Sequence, residues 1–200
     1  MRAVVQRVLA ASVTVDDEMV SSIGRGLMVL VGIGTDDTLD DVATITNKLL
    51  SLRVFSDENG GMWKKSVKDI EGEILCVSQF TLFANTSKGS KPDFHRAMGS
   101  ERSREMYGVF LDKMRSLYSA ERIQDGRFGA MMNVSLTNEG PVTFTLDSRK
   151  FEYIDQSRSV VGSTTPTSRP GKGVKASNNR TKRSAEPVGE PQEQGKAPID

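Results

Sequence analysis

The chain has 200 residues, of which 36% are hydrophobic and 26% charged, with a net charge of +1, a composition typical of globular proteins. A single cysteine excludes an internal disulfide, and a single histidine excludes a metal site built from several histidines. The sequence contains no run of 18 apolar residues, so no membrane helix is predicted. Arg7 interrupts the apolar stretch that a signal peptide needs at the N-terminus. We therefore expect a cytoplasmic protein without a membrane segment, a metal or another cofactor.

The first third of the chain predicts three strands and a helix. Residues 3–9 indicate one strand, and residues 12–15, which alternate polar and apolar side chains, indicate a second. The apolar run 27–33, bounded by glycines, is typical of a strand buried on both faces. A helix is predicted to begin near Thr35 and Asp36, whose short polar side chains suit a helix N-cap, and to run to about Arg53.

The remaining elements complete an α+β pattern. Residues 73–80 predict a strand, and residues 100–120 a helix whose inner face would carry Met106, Phe110, Met114 and Leu117. Residues 131–137 and 141–146 predict two strands around a turn at 138–140. This order favours a mostly antiparallel sheet or barrel-like domain with two main helices at its faces.

The last 45 residues differ in composition from the rest. Residues 156–200 contain no Leu, Phe, Tyr, Trp or Met, and they hold eight Lys and Arg against four Asp and Glu, which leaves residues 1–155 at a net charge of −3. We predict a folded domain over 1–155 and a disordered tail over 156–200, because the tail has too little apolar surface to fold. A solvated tail is the favoured interpretation of its basic stretch 169–183, and an RNA clamp or a nuclear address are alternatives.

A search for standard active sites finds none. His95 lies in Lys-Pro-Asp-Phe-His, and no Gly-x-Ser-x-Gly elbow supplies a nucleophile for it, so a surface or structural role is favoured. Gly32-x-Gly34 lacks the third glycine of a dinucleotide-binding loop. The residues alone predict an α+β domain with no evident catalytic group.

Two segments nevertheless combine unusual residues at the ends of predicted strands. The segment Ser78-Gln79-Phe80-Thr81-Leu82 could direct hydroxyl and amide groups into a pocket, although Phe and Thr are also ordinary strand residues. The segment Asn138-x-Gly140-Pro141-Val142-Thr143 could equally be a plain turn. Each is a weak signal when taken alone.

Together, the two segments resemble the signature motifs of the D-aminoacyl-tRNA deacylase, or D-tyrosyl-tRNA(Tyr) deacylase, family. The resemblance covers residues 1 to about 150, with order and spacing kept. Further matching segments are Gln6-Arg7-Val8, Ala11–Val15, Ile23-Gly24-x-Gly26-Leu27, Phe55-Ser56-Asp57, Lys88-Gly89-x-Lys91-Pro92 and Gly126-Arg127-Phe128.

The resemblance implies a homodimeric hydrolase that cleaves the ester of D-aminoacyl-tRNA, with the sites at the subunit interface. Gly140-Pro141 would be a cis dipeptide that enters the partner's pocket, where its carbonyl oxygens grip the α-amino group and its backbone rejects an L side chain. Such a filter cannot reject glycine, so glycyl-tRNA should also be cleaved.

The resemblance also implies roles for individual residues. Ser78, Gln79, Phe80 and Thr81 would form the catalytic pocket through their backbone N–H groups, aided by the ribose 2′-hydroxyl, rather than through a Thr81 nucleophile. Arg7 would hold the Gly140-Pro141 loop, and Phe128 and Met132 would receive the terminal adenine, with core packing as the rival for both. Candidates for tRNA phosphates are Lys88, Lys91 and Arg96.

Two alternatives stay open. One is a non-catalytic RNA-binding adaptor that uses the basic tail as its main contact. The other is a hydrolase of the same fold that acts on a different aminoacyl ester.

Overall fold

In a computed structural model, residues 1–87 and 89–149 are described. The prediction of a disordered tail over 156–200 lies outside them. Two α-helices and two 3₁₀ helices accompany six strands. The strands are β1 (Arg2–Val15), β2 (Glu18–Ile23), β3 (Gly26–Gly32), β4 (Glu73–Ser78), β5 (Ile123–Asp125) and β6 (Asn133–Asp147). The α-helices are α1 (Leu39–Ser51) and α2 (Ser100–Leu117), and the 3₁₀ helices are Phe80–Phe83 and Ala120–Arg122.

The six strands form one mixed sheet centred on β1. Strands β2, β3 and β6 each pair with β1 in antiparallel orientation, whereas β4 runs parallel to β3, and β5 parallel to β4. This nearly closed sheet with two α-helices confirms the predicted α+β class.

Strand β3 is buried on both faces, as its apolar run predicted. Leu27, Val29 and Val31 belong to a core shared with α1 and α2, whereas Met28 belongs to a second core that contains Val8, Val13, Leu75 and Val77. The sheet therefore has one apolar layer beneath the helices and another inside its curve.

The prediction of two strands at the N-terminus is wrong, because β1 is continuous from Arg2 to Val15. Its alternation breaks at Arg7 and Leu9, where the pairing with β6 shifts register. Leu9 is 51% exposed at the second shift. A register shift interrupts the side-chain pattern without ending the strand.

The prediction of a turn at 138–140 is also wrong. Strand β6 continues through it, and both of its halves pair with β1. Gln6 pairs with Thr143 and Val8 with Asn138, so Arg7 alone faces the four residues 139–142. These four residues form a wide bulge, which we call the Gly-Pro bulge.

Helix α1 begins later than predicted, at Leu39 behind an N-cap at Thr38. The side chains of Thr38 and Asp41 form a capping box, in which Asp41 Oδ2 accepts the Thr38 N–H at 2.8 Å. Asp37 does not cap the helix, because its buried carboxylate accepts the Gly34 N–H at 2.6 Å and contacts the Met1 ammonium group.

Helix α2 ends at Leu117 rather than at residue 120. Phe110 and Met114 are fully buried and Met106 is partly buried, but Leu117 is 39% exposed and does not belong to the inner face. Tyr107 and Leu111 are buried in its place, since they lie close to Phe110 and Met114 around the helix. Among the described residues, no helix is both long enough and apolar enough to cross a membrane.

Candidate active site

A cavity of about 720 Å³ opens where β3 and β4 end. Its wall combines the ends of these two strands, the segment that follows β4, the segment before α2, the first turn of α2, and the segment before β6. The lining residues are Val31, Ile33, 77–80, Phe94, Ala97, Met98, Ser100, Ser103, 128–132 and Val134. Segments far apart in sequence therefore form one apolar pocket with a few polar groups, the usual form of a small-molecule site.

The segment 78–81 changes conformation at the cavity wall. Strand β4 ends at Ser78, two residues before the predicted end, and a 3₁₀ helix begins at Phe80. Ser78, Gln79 and Phe80 line the cavity, whereas Thr81 follows just outside the wall and is exposed. The Gln79 N–H donates to the carbonyl oxygen of Val31 at 2.7 Å, which fixes this segment to the end of β3.

Phe80 and Phe94 form the aromatic part of the wall. Their rings meet edge to face, with centroids 5.0 Å apart, and Phe80 is 57% exposed. Phe94 belongs to a segment that is joined to the end of β3 by a hydrogen bond from the Met98 N–H to the Ile33 carbonyl oxygen at 2.9 Å. The motif search missed Phe94 because this contact is non-local.

Phe128 and Met132 lie on the cavity wall, as their proposed role requires. The Phe128 ring centroid is 5.7 Å from that of Tyr107 and 4.9 Å from the Arg104 guanidinium carbon. The Met132 sulfur accepts the Arg127 N–H at 3.3 Å. Both side chains therefore contact the cavity while their other side is held by the protein.

The wall formed by the described residues contains no ionisable side chain. His95 is exposed outside the cavity, where its N–H donates to the Asp93 carboxylate at 2.9 Å and its ring contacts the same carboxylate. These contacts lower the pKa of Asp93. In the described part of the chain, no group of three or more His, Cys, Asp or Glu side chains could hold a metal ion.

The Gly-Pro bulge contains the cis Gly140-Pro141 bond, with Gly140 at a φ of +118°. Asn138 closes the bulge, because its Oδ1 accepts the Val142 N–H at 3.1 Å and its Nδ2 donates to the Thr143 hydroxyl at 2.7 Å. Arg7 supports the bulge from β1, where its Nε donates to the Glu139 carbonyl oxygen at 3.3 Å.

The structure does not bring the Gly-Pro bulge to the cavity of its own chain. None of Arg7, Gly140 and Pro141 lines that cavity. They adjoin the opposite end of β3, since Arg7 pairs with Leu27 whereas the cavity is lined by Val31 and Ile33. Each chain therefore presents a cavity at one end of β3 and the bulge at the other.

A second, polar groove of about 470 Å³ lies at the end of the 3₁₀ helix 80–83. It is lined by Arg2, Phe83, Ala84, Asn85, Thr86, Ser87 and Arg96. Arg2 is partly neutralised by Asp147, which accepts from its Nε at 2.9 Å, whereas Arg96 has no ion pair with any described residue. Lys91 is exposed nearby in sequence, and Lys88 lies outside the described residues.

A family model described as D-Tyr-tRNA(Tyr) deacylase matches residues 4–147. The chain is 53% identical over 149 residues to the D-aminoacyl-tRNA deacylase of Kluyveromyces lactis, a match that covers 74% of this chain and 99% of that protein. It is 53% identical over 148 residues to D-aminoacyl-tRNA deacylase 1 of Homo sapiens, covering 74% and 70%.

Two solved structures share the fold. One, described as c-Myc DNA Unwinding Element Binding Protein, is 53% identical, with a TM-score of 0.71 over 74% of this chain and 98% of that chain. The other, described as a probable eukaryotic D-amino acid tRNA deacylase, is 21% identical, with a TM-score of 0.63 over 73% and 98%. The second likeness concerns the fold alone.

Proposed function

The chain belongs to the D-Tyr-tRNA(Tyr) deacylase family, and we propose that it hydrolyses the ester between a D-amino acid and the terminal adenosine of tRNA. Water adds to the ester carbonyl, the bond to the ribose oxygen breaks, and free tRNA and the D-amino acid leave. The observation that carries this proposal is one cavity that unites the motif residues 78–80 with Phe128 and Met132. The reaction belongs in the cytoplasm, where charged tRNA is used.

The cavity wall supports a position for each part of the substrate. The terminal adenine fits against Phe128 and Met132, since an aromatic ring and a polarisable sulfur both favour contact with a base. The ester then lies beside Ser78, Gln79 and Phe80, which line the same cavity. Core packing is the rival role for Phe128 and Met132, but both side chains are only half-buried.

Catalysis would use main-chain groups and the substrate rather than a side-chain nucleophile. The described wall offers no side chain that could act as a base, so neither a serine nor a threonine hydroxyl is activated there. The N–H groups of Phe80 and Thr81 have no hydrogen-bond partner among the described residues. Such groups can stabilise the developing oxyanion, while the ribose 2′-hydroxyl helps to activate water.

A homodimer would complete each site. The cavity of one protomer lacks the Gly-Pro bulge of its own chain, and a partner's bulge could enter its open mouth. The cis Gly140-Pro141 backbone would then grip the α-amino group through its carbonyl oxygens and exclude an L side chain by steric contact. Glycine has no side chain to be excluded, so glycyl-tRNA would also be a substrate.

The polar groove would hold phosphates of the tRNA. Arg96 supplies a positive charge that forms no ion pair with a described residue, and Thr86 and Ser87 supply hydroxyl groups. Lys91 would add a second positive charge for the tRNA phosphates. Contacts of this kind position an RNA without reading its sequence.

The deciding experiment compares hydrolysis of D-tyrosyl-tRNA and L-tyrosyl-tRNA by the purified chain. Rapid loss of the D ester alone is expected. Loss of neither would favour a binding protein, and equal loss of both would contradict the steric filter and favour a hydrolase of another aminoacyl ester.

Truncation after residue 155 separates the enzyme from an RNA-binding adaptor. The deacylase should keep its turnover without residues 156–200, because every residue of the proposed site precedes them. An adaptor that depends on the basic tail would lose RNA binding, which filter binding with uncharged tRNA would measure.

A further inference from the structure

We propose that Arg25 and Glu139 form a positioning pair that holds the Gly-Pro bulge and thereby sets how strictly the enzyme rejects L-aminoacyl esters. This inference rests on the proposed function. It assigns a role to two residues at unspecified positions of the matching motifs. Arg25 is the x of Ile-Gly-x-Gly-Leu, and Glu139 is the x of Asn-x-Gly-Pro.

The two side chains meet in a bidentate ion pair. Arg25 Nη2 donates to Glu139 Oε1 at 3.0 Å, and Arg25 Nε donates to Glu139 Oε2 at 3.2 Å. Two parallel bonds between a planar guanidinium and a carboxylate fix direction as well as distance. The Glu139 side chain is 23% exposed and that of Arg25 50%, so water competes only partly for this contact.

Arg25 is a firm anchor because its surroundings are held by the sheet. It lies in the short connection between β2 and β3, and its carbonyl oxygen accepts the Glu73 N–H at 3.1 Å. The preceding Gly24 donates its N–H to the Glu73 carboxylate at 2.5 Å. The guanidinium carbon also lies 5.6 Å from the ring centroid of the fully buried Phe55.

Glu139 is the residue directly before Gly140, so its contact with Arg25 also restrains the position of the cis dipeptide. Strand β1 lies between β3 and β6, so the Arg25 side chain reaches across β1 to the bulge. The Glu139 carboxylate also lies 3.4 Å from Arg7 Nε. Arg7 in turn donates from Nη1 to the Val54 carbonyl oxygen at 2.6 Å.

The bulge depends on contacts from outside β6, because few of its residues pair with a neighbouring strand. On β1, only Arg7 lies opposite residues 139–142, so the ordinary pairing between β1 and β6 is interrupted at the bulge. Asn138 ties the two ends of the bulge together, but it does not fix the bulge relative to β3. The Arg25–Glu139 pair supplies that connection.

A role in positioning differs from a role in stability. Partly exposed ion pairs add little to the free energy of folding, whereas a small displacement of a group that contacts the substrate can change a rate strongly. Loss of the pair should therefore leave the fold intact. A loosened bulge should accept L esters more readily and grip D esters less well.

The test compares kcat/KM for D-tyrosyl-tRNA and L-tyrosyl-tRNA in the full chain and in Arg25→Ala, Arg25→Lys and Glu139→Gln. We expect the D-to-L ratio to fall about tenfold in Arg25→Ala and Glu139→Gln, and less in Arg25→Lys, which keeps the charge without the planar fork. The double variant Arg25→Ala with Glu139→Gln should lose less than the two single losses combined, because both changes remove the same Arg25–Glu139 contact.

The control is Arg122→Ala, which removes another partly exposed ion pair, with Glu71, outside the bulge. Circular dichroism melting should show similar unfolding temperatures for all variants, and the control should keep the wild-type ratio. An unchanged ratio in Arg25→Ala and Glu139→Gln, or an equal fall in Arg122→Ala, would overturn the positioning role while D-tyrosyl-tRNA hydrolysis by the wild type stands. A wild type that hydrolyses neither ester would overturn the proposed function together with this inference.

Discussion

The side-chain amide of Gln79 donates a hydrogen bond to the hydroxyl oxygen of Thr81 at 2.5 Å. In this arrangement the Thr81 oxygen is an acceptor, and the group that contacts it is an amide, which cannot remove a proton. A hydroxyl nucleophile needs a neighbouring base or another means of activation. The contact supports the proposal that Thr81 orders the segment beside the cavity rather than attacking the ester.

Thr81→Ala should consequently retain most of the activity. We expect kcat for D-tyrosyl-tRNA to stay within about tenfold of the wild type, because the change removes one hydrogen bond. Loss of a true nucleophile reduces kcat by about 10⁴-fold or more. Single-turnover hydrolysis measures the chemical step, and Ser78→Ala tests the hydroxyl on the wall in the same way. A fall of about 10⁴-fold in either variant, with the dimer and tRNA binding intact, would contradict a mechanism based on main-chain groups.

Gly126→Ala should weaken substrate binding without unfolding the chain. A Cβ at this position would lie 2.7 Å from the Met132 sulfur, so the flexible end of Met132 must move. Met132 lines the cavity where the adenine is proposed to bind. We expect KM for D-tyrosyl-tRNA to rise about threefold to tenfold, with a smaller change in kcat, as measured by steady-state hydrolysis.

The matched control for this change is Gly108→Ala on α2, because a Cβ there meets no atom within 4 Å. This variant should stabilise the helix by about 0.5–1 kcal/mol and leave KM unchanged. A normal KM in Gly126→Ala would argue against a role for Met132 in holding the adenine.

The sequence predicted the fold class and the residues Ser78 to Phe80, Phe128 and Met132, which line the cavity, but it predicted a turn where β6 has the Gly-Pro bulge. Gly and Pro favour a turn and a bulge alike. What separates the two is whether both halves of β6 pair with β1, and that pairing joins residues between 119 (Thr14 and Asn133) and 145 (Arg2 and Asp147) positions apart.

Long-range contacts also explain the residues that sequence analysis did not find. Phe94 reaches the cavity because the segment before α2 bonds to the end of β3, and nothing in the local pattern of that segment shows this. Arg25 and Glu139 lay inside recognised motifs but at positions the motifs leave open. Their pairing depends on the order of strands in the sheet.

Cys76 should be chemically inert in the folded protein. It is completely buried on β4, and burial raises the pKa of its thiol to about 12. Since the thiolate is the reactive form, raising the pH from 7 to 9 should not make the native chain react. We expect labelling by a thiol reagent at pH 8 to be about a hundredfold slower in native buffer than in denaturant. Because Cys76 is the only cysteine, one label per denatured chain calibrates the assay, and rapid labelling of the native chain would show that β4 is accessible.

Arg96→Ala should weaken the contact with tRNA while sparing the reaction itself. If Arg96 neutralises one phosphate in the polar groove, its loss should reduce the slope of log(kcat/KM) against log salt concentration by about 0.7–0.9. KM for D-tyrosyl-tRNA should rise most at low salt, because counterion release from that phosphate contributes most there. Hydrolysis of D-tyrosyl-adenosine, which has no phosphate, should proceed at the wild-type rate. Arg122→Ala serves as the control, since Arg122 already pairs with Glu71 and does not line the groove. An unchanged salt slope in Arg96→Ala, or an equal loss on the adenosine ester, would mean that the groove does not hold a tRNA phosphate.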